Sequence, residues 1–328
     1  MKRRRKRRSR RRTYGPRQGA KSPALDISLL DEKLDTIVQE SFRATAPAVL
    51  YHYTTWEGAA GILASRQFWC TAHDCTNDPA ELSTADQVIS EVAAQLKPTA
   101  EEPTRYLLDL FLENYSRMKV SQMTPVFIAC FSKARDSEGQ WQEYAANGAG
   151  LCLGLSVINE AMPTDDGLGR LLAPVDYSED SWRKRVTTGF EAISAALRSL
   201  GSELDTVPQR ALELGLNALF RIAAYAAVTA KKRQWSSEEE WRQVVIARRG
   251  VEIQPCERQG HQSVTRYLKV FVRQADRPIV LAEVIIGPNQ SAEPARDKLV
   301  KLLRAAGYPN EFAPFPDIAL AASNPGRE

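Results

Sequence analysis

The sequence predicts an α+β fold, and three observations lead there. Residues 50–54 read as a buried strand followed at once by a helix and a second apolar strand, residues 181–230 carry helical periodicity, and strands crowd together again from 240 to 286. Elements of both kinds at irregular intervals, with no internal repeat, argue for α+β rather than a regular doubly wound sheet.

The elements follow in order. Folded structure is expected to begin near Asp26 with an amphipathic helix to about Phe42. In LYHYTT (50–55), alternation sends Tyr51 and Tyr53 to one face and His52 and Thr54 to the other. WEGAAGILASR (56–66) has apolar residues at helical spacing, and Phe68 and Trp69 open the next strand. Asn77-Asp78-Pro79-Ala80-Glu81 supplies a turn and a helix start, because Asn and Asp can cap, Pro suits the first turn and Glu favours the positive end of the dipole. Helices at about 80–95 and 103–118 lead to a strand at 125–131, a short helix at 140–146 and a buried strand at 150–155. In 181–230 one stripe holds Trp182, Val186, Phe190, Ile193 and Leu197 and another Leu212, Leu216, Leu219 and Phe220, as expected for a two-helix insertion or cap. Strands at 240–247, 266–272 and 279–286, a helix at 295–305 and a strand near Ile318 complete a sheet of about six to eight strands.

With 43% hydrophobic and 26% charged residues, the 328-residue chain has the composition of a globular protein. No apolar run suggests a membrane span and no leader is evident, so a cytoplasmic location is expected. Five scattered cysteines do not make a disulfide framework, and Cys70, His73 and Cys75 lack a further ligand pair at metal spacing. Charge is unevenly divided: of 44 Lys and Arg, ten fall in residues 2–12, leaving 34 against 40 acids in the rest. Residues 1–25 therefore read as a disordered basic arm and linker, and 26–328 as a single α+β domain. The arm is suited to nucleic acid through counterion release, or else is a solvated tail. With no aromatic interleaved among residues 2–12, its binding would be sequence-nonspecific.

Five motifs recur in a fixed order: YHYT (51–54), NDPAE (77–81), CFS (130–132), QWQEYAANGAGLCLG (140–154) and EVIIGP (283–288). In order and spacing they resemble a bacterial family of unknown function. More distantly, the pattern is similar to the ADP-ribosyltransferase superfamily, in which a strand-borne His followed by Thr or Ser holds NAD and a late-strand Glu completes the site. That resemblance implies an ADP-ribosyltransferase-like split, curved sheet and an NAD-consuming activity in a toxin, defence or stress setting. It also implies His52 and Thr54 as NAD contacts, with Tyr53 and Trp141 beside them, and Glu283 and Tyr144 as catalytic groups.

The chemistry has a use for each residue type. Breaking the nicotinamide glycosidic bond creates an oxocarbenium-like ribose that a carboxylate stabilises, and an aromatic face can stack on nicotinamide. Each residue also has a structural reading: Trp141 and Tyr144 repeat at helical spacing, and Glu283 among Leu281, Val284 and Ile285 would need a cleft or a buried Arg such as Arg242. Asn77, Asp78 and Glu81 could line the cleft as substrate contacts or simply turn and cap. Glu240 and Arg242 share a strand face and are a substrate clamp or a structural ion pair. No P-loop, nucleophile elbow, HExxH or GxGxxG is present, which removes support for NTPase, hydrolase, metalloprotease and Rossmann readings. The rival function is a noncatalytic nucleic-acid-binding module using the basic arm.

Overall fold

The computed structural model describes residues 27–76, 82–117, 125–156, 168–201, 203–247, 252–259, 264–271, 281–308 and 319–323. The basic arm, and Asn77, Asp78 and Glu81, lie outside these residues.

In chain order the elements are α1 (Ile27–Phe42), β1 (Val49–Thr54), α2 (Trp56–Ser65), β2 (Gln67–Ala72), α3 (Asp86–Leu96), α4 (Thr104–Arg117), β3 (Val126–Ser132), α5 (Glu138–Tyr144), β4 (Leu151–Ser156) and β5 (Leu168–Pro174). Then come α6 (Glu179–Arg198), α7 (Gln209–Thr229), β6 (Glu240–Ala247), β7 (Cys256–Gln259), β8 (Val264–Phe271), β9 (Leu281–Ile286), α8 (Ala292–Ala305) and β10 (Ala319–Ala322). This is an α+β fold. β5 and β7 bring the described strands to ten, more than the six to eight expected.

The main path through the sheet runs β10-β9-β4-β1-β3-β2-β8-β7, with β6 and then β5 branching from β3. All strand pairs are antiparallel except β10 with β9. β3 is the trunk. One edge pairs with β6 along its whole length. The other edge is shared, with β1 meeting it at Tyr51↔Ser132 and β2 at Thr71↔Ile128 and Ala72↔Phe127. The sheet therefore forks, and Ala129 to Phe131 fall between the two ladders.

One face of β3, β5 and β6 is covered by α1, α3, α4, α6 and α7 through a large core that includes Phe42, Phe111, Phe190, Ile222, Val244 and Ile246. The two helices within residues 179–229 thus share one layer with three earlier helices. α7 passes by length and hydropathy as a candidate membrane span, contrary to the expectation that no such run exists, yet most of it is buried within this core. A helix apolar on most sides suits the middle of a helical layer. The opposite face packs on α2 and α8 through Leu63, Phe68, Phe131, Leu153, Val284 and Leu299. A third cluster, Tyr51, Tyr53, Trp141, Cys152 and Ile285, lies under α5.

Two motifs have a joint structural job. The turn after α5 runs through Ala146, Asn147 and Gly148, all at positive φ, and its carbonyls receive the EVIIGP strand end. Asn289 N donates to Gly148 O at 3.0 Å, Gly287 N to Gly150 O at 3.1 Å and Asn289 Nδ2 to Asn147 O at 2.6 Å. A Cβ at Gly287 would stand 2.3 Å from Gly148 O, so the two backbones meet this closely only because that side chain is missing.

Candidate functional site

Register places the predicted residues. Glu283 faces Gly154, Gly154 faces Tyr51, Tyr51 faces Ser132 and Ser132 faces Glu240, one row across five strands on the helix-layer face. His52 faces Leu153, which faces Val284. Residues directly opposite one another share a face and successive residues alternate. His52 and Glu283 therefore lie on opposite faces of the sheet, and their expected convergence on one cleft does not occur.

His52 instead locks the fork. Its Nδ1 is 2.9 Å from Cys130 O and carries the proton, since the partner is a carbonyl. The ring lies edge-on to Phe68 at 5.1 Å and tilted to Phe131 at 5.7 Å. Cys130 falls where neither β1 nor β2 has a register partner, and the imidazole supplies that carbonyl with a donor. Burial lowers the His52 pKa, opposed in part by the bond to Cys130. Thr54 packs against α2, with its Oγ1 2.2 Å from where a Cβ on Gly58 would stand.

Tyr53 and Trp141, expected to contact a cofactor, are core residues. The Tyr53 hydroxyl donates to Ala134 O and accepts from Ser137 N, both at 2.9 Å, and Trp141 Nε1 donates to Asp136 Oδ1 at 2.6 Å. Their rings meet edge to face at 4.9 Å. These contacts hold the loop between β3 and α5, which carries Arg135.

Glu283 is buried and ion-paired. Arg135 Nε reaches both carboxylate oxygens at 3.0 and 3.1 Å, Arg135 Nη2 reaches Oε2 at 2.6 Å, and the Tyr51 hydroxyl donates to Oε1 at 2.9 Å. Burial, then the bond to Glu283, raises the Tyr51 pKa, and the same carboxylate raises that of Arg135. Arg135, and not Arg242, is the arginine that pairs with Glu283.

The remaining predicted residues gather at the other end of the row. Arg242 donates to Glu240 from Nε at 2.7 Å and Nη2 at 3.0 Å, and from Nη1 to Val228 O at 2.7 Å. Lys231 Nζ bridges Glu240 at 2.9 Å and Glu238 at still closer range. Burial would raise the Glu240 pKa, but Arg242 and Lys231 outweigh it and bring the carboxyl to about 2. The Tyr144 hydroxyl donates to Glu238 Oε1 at 3.2 Å, and the Tyr177 hydroxyl accepts from Glu240 N at 3.0 Å. Tyr144 and Trp235 are exposed by 39% and 46%, and Lys231 Nζ lies 5.6 Å from the Trp235 ring centre. Cys130, on the same face beside Arg242, is open to solvent. Surrounding protein, then Glu240, nonetheless holds its thiol well above the usual pKa. Glu240, Arg242 and Lys231 all bear on the Cys130 thiol, and Cys130 bears in turn on Tyr144, so the thiol belongs to the same charged cluster.

Sequence reading anticipated Tyr144, Glu240 and Arg242 but not Lys231, Cys130 or Tyr177. The run WSSEEEWR (235–242) was the available signal, since its carboxylates outnumber its own cations.

A family model described as "Protein of unknown function (DUF2971)" matches residues 140–243. The match takes in Tyr144, Tyr177, Lys231, Glu238, Glu240 and Arg242, and supports an uncharacterised family of that description for this part of the chain. No curated protein and no solved structure matches the chain.

Proposed function

We propose that the chain transfers ADP-ribose from NAD to an acceptor, with its reaction centre at the cluster of Tyr144, Glu238 and Lys231 near Cys130 rather than between His52 and Glu283. The observation that carries this reading is the coupling of Tyr144 to Glu238. An exposed aromatic ring and a carboxylate are fixed to each other by a 3.2 Å hydrogen bond, and Lys231 anchors the carboxylate from behind. The forked sheet is compatible with the split-sheet architecture that the reading implies.

In the proposed step the Tyr144 ring stacks on nicotinamide, and the C1′–N bond breaks with its electron pair leaving on the nicotinamide nitrogen. The ribose becomes an oxocarbenium ion, whose charge Glu238 stabilises while orienting the 2′-hydroxyl. The acceptor nucleophile then bonds to C1′ and loses its proton to solvent. Arg242 keeps Glu240 ionised, and Glu240 positions Lys231. Glu283 and His52 act through the fold, one bracing β9 against the loop after β3 and the other holding the fork.

The test is release of nicotinamide from labelled NAD by the purified chain, with cell extract supplied as acceptor. Glu238→Gln should slow release by about two orders of magnitude or more with little change in NAD affinity, because the charge acts mainly in the transition state. A wild-type chain that neither binds NAD nor releases nicotinamide would reject the transferase and leave a noncatalytic nucleic-acid-binding module that uses residues 2–12.

A further inference from the structure

We propose that the β2-β8-β7 wing carries a base-stacking platform for single-stranded nucleic acid. Parity and register put Trp69 and Thr71 of β2, Thr265, Tyr267 and Lys269 of β8, and Arg258 of β7 on one face. Trp69 stacks on Tyr267 with ring centres 4.4 Å apart and planes 24° from parallel. The Arg258 guanidinium stands 5.5 Å from the Trp69 ring centre, and Lys269 is directly opposite Trp69 in the ladder. Tyr267 is buried beneath, while Trp69 is 36% exposed and Arg258 and Lys269 are exposed.

A cross-strand aromatic pair alone would be ordinary sheet stabilisation. Here the pair leaves part of an indole open to solvent, and the Arg258 guanidinium over that ring presents a planar cation that can itself stack on a base or bind a phosphate. Charge selects the partner. Among the described residues of this face the charged side chains are Arg258 and Lys269, both cationic, whereas Glu257 points to the other face opposite Arg266. A duplex hides its base faces and a single strand offers them. Residues 2–12 hold ten cations and no ring, so stacking must come from the platform itself.

Position connects this face to the cluster around Cys130. Trp69 lies two residues before Thr71, whose partner is Ile128, and Cys130 lies two residues beyond Ile128. Both belong to the same face, so Trp69 stands on the side of the fork that carries Cys130. Binding does not depend on the transferase reading and is tested without NAD.

The probe is a labelled oligothymidine, followed by fluorescence anisotropy with the full chain across a salt series. Contacts from the arm weaken steeply with salt and stacking does not, so at about 0.3 M salt the platform should dominate. There Trp69→Ala should weaken binding about tenfold or more and Arg258→Glu should also weaken it, while Trp69→Phe retains most of the affinity. Deleting residues 2–12 should flatten the salt slope and spare the high-salt binding. Arg258→Glu is a surface change that keeps the test valid if Trp69→Ala fails to fold. Equal affinity of wild type, Arg258→Glu and any folded Trp69 variant at every salt, or duplex binding as tight as single-strand binding at high salt, would overturn the platform.

Discussion

Tyr51 and Glu283 meet over the back of Gly154. The phenol of β1 and the carboxylate of β9 are two strands apart, yet their hydrogen bond is 2.9 Å because the strand between presents no side chain there. A Cβ on Gly154 would stand 2.7 Å from Glu283 Cγ and 3.1 Å from Tyr51 Cε1.

Gly154→Ala should therefore push the two side chains apart and destabilise the fold by about 1–3 kcal/mol, the usual effect of overpacking. Thermal melting reads the loss. An unchanged melting temperature would show that the row can relax around a methyl group.

Glu283→Gln tests the division between support and catalysis. It removes one partner of a pair in which Glu283 is nearly buried and Arg135 is partly exposed. Solvent around Arg135 reduces the penalty, so the expected loss is about 1–3 kcal/mol, below that of breaking a fully buried pair. Nicotinamide release per folded molecule should stay within a few-fold of wild type. A loss as large as that of Glu238→Gln, with melting unchanged, would return the reaction centre to Glu283.

Much of the secondary structure was readable because β1, β3, β4, β6, β8 and β9 are apolar runs bounded by turns and the helices carry clear stripes. β7, with the sequence CERQ, has too few residues and too many polar ones to reveal a period. β5 shows a buried alternation only once it lies against β6, since Gly169 and Arg170 blur it in the sequence. The site was harder to read for a reason of parity. Whether His52 and Glu283 share a face is decided by the registers of β4 against β1 and β9, and slipping either one by a residue would reverse the answer. Glu240 and Arg242 needed no such knowledge, because they are two apart on one strand. Lys231 and Tyr144 reach them only through tertiary packing.

Acid should destabilise the protein in two stages, and the histidines act first. His52 and His73 have folded pKa values lowered mainly by burial from the usual 6.5. The unfolded chain binds protons at these sites more readily, so their contribution is present above pH 6.5 and is lost as pH falls through the folded values. His52→Gln, which keeps a donor for Cys130 O, should flatten this first stage. An identical profile between neutral pH and pH 5 would mean that folded His52 takes up its proton as readily as the unfolded chain does.

The second stage belongs to Glu240, whose folded carboxyl titrates at about 2 against an ordinary 4.5. The unfolded state binds the extra proton between these values, so stability rises with pH across the window and is lost as pH falls from 4.5 towards 2. The shift corresponds to about 3 kcal/mol. Glu240→Gln abolishes the titration and strands Arg242 against a neutral amide while Lys231 keeps Glu238, which lowers stability at neutral pH by a few kcal/mol. Denaturant unfolding of both proteins at a series of pH values should therefore show two curves that are well separated at neutral pH and draw together below pH 4.5. Parallel curves down to pH 2 would mean that Glu240 is not the group whose ionisation Arg242 and Lys231 sustain. Glu238, the other carboxylate on Lys231, would then be the next to substitute.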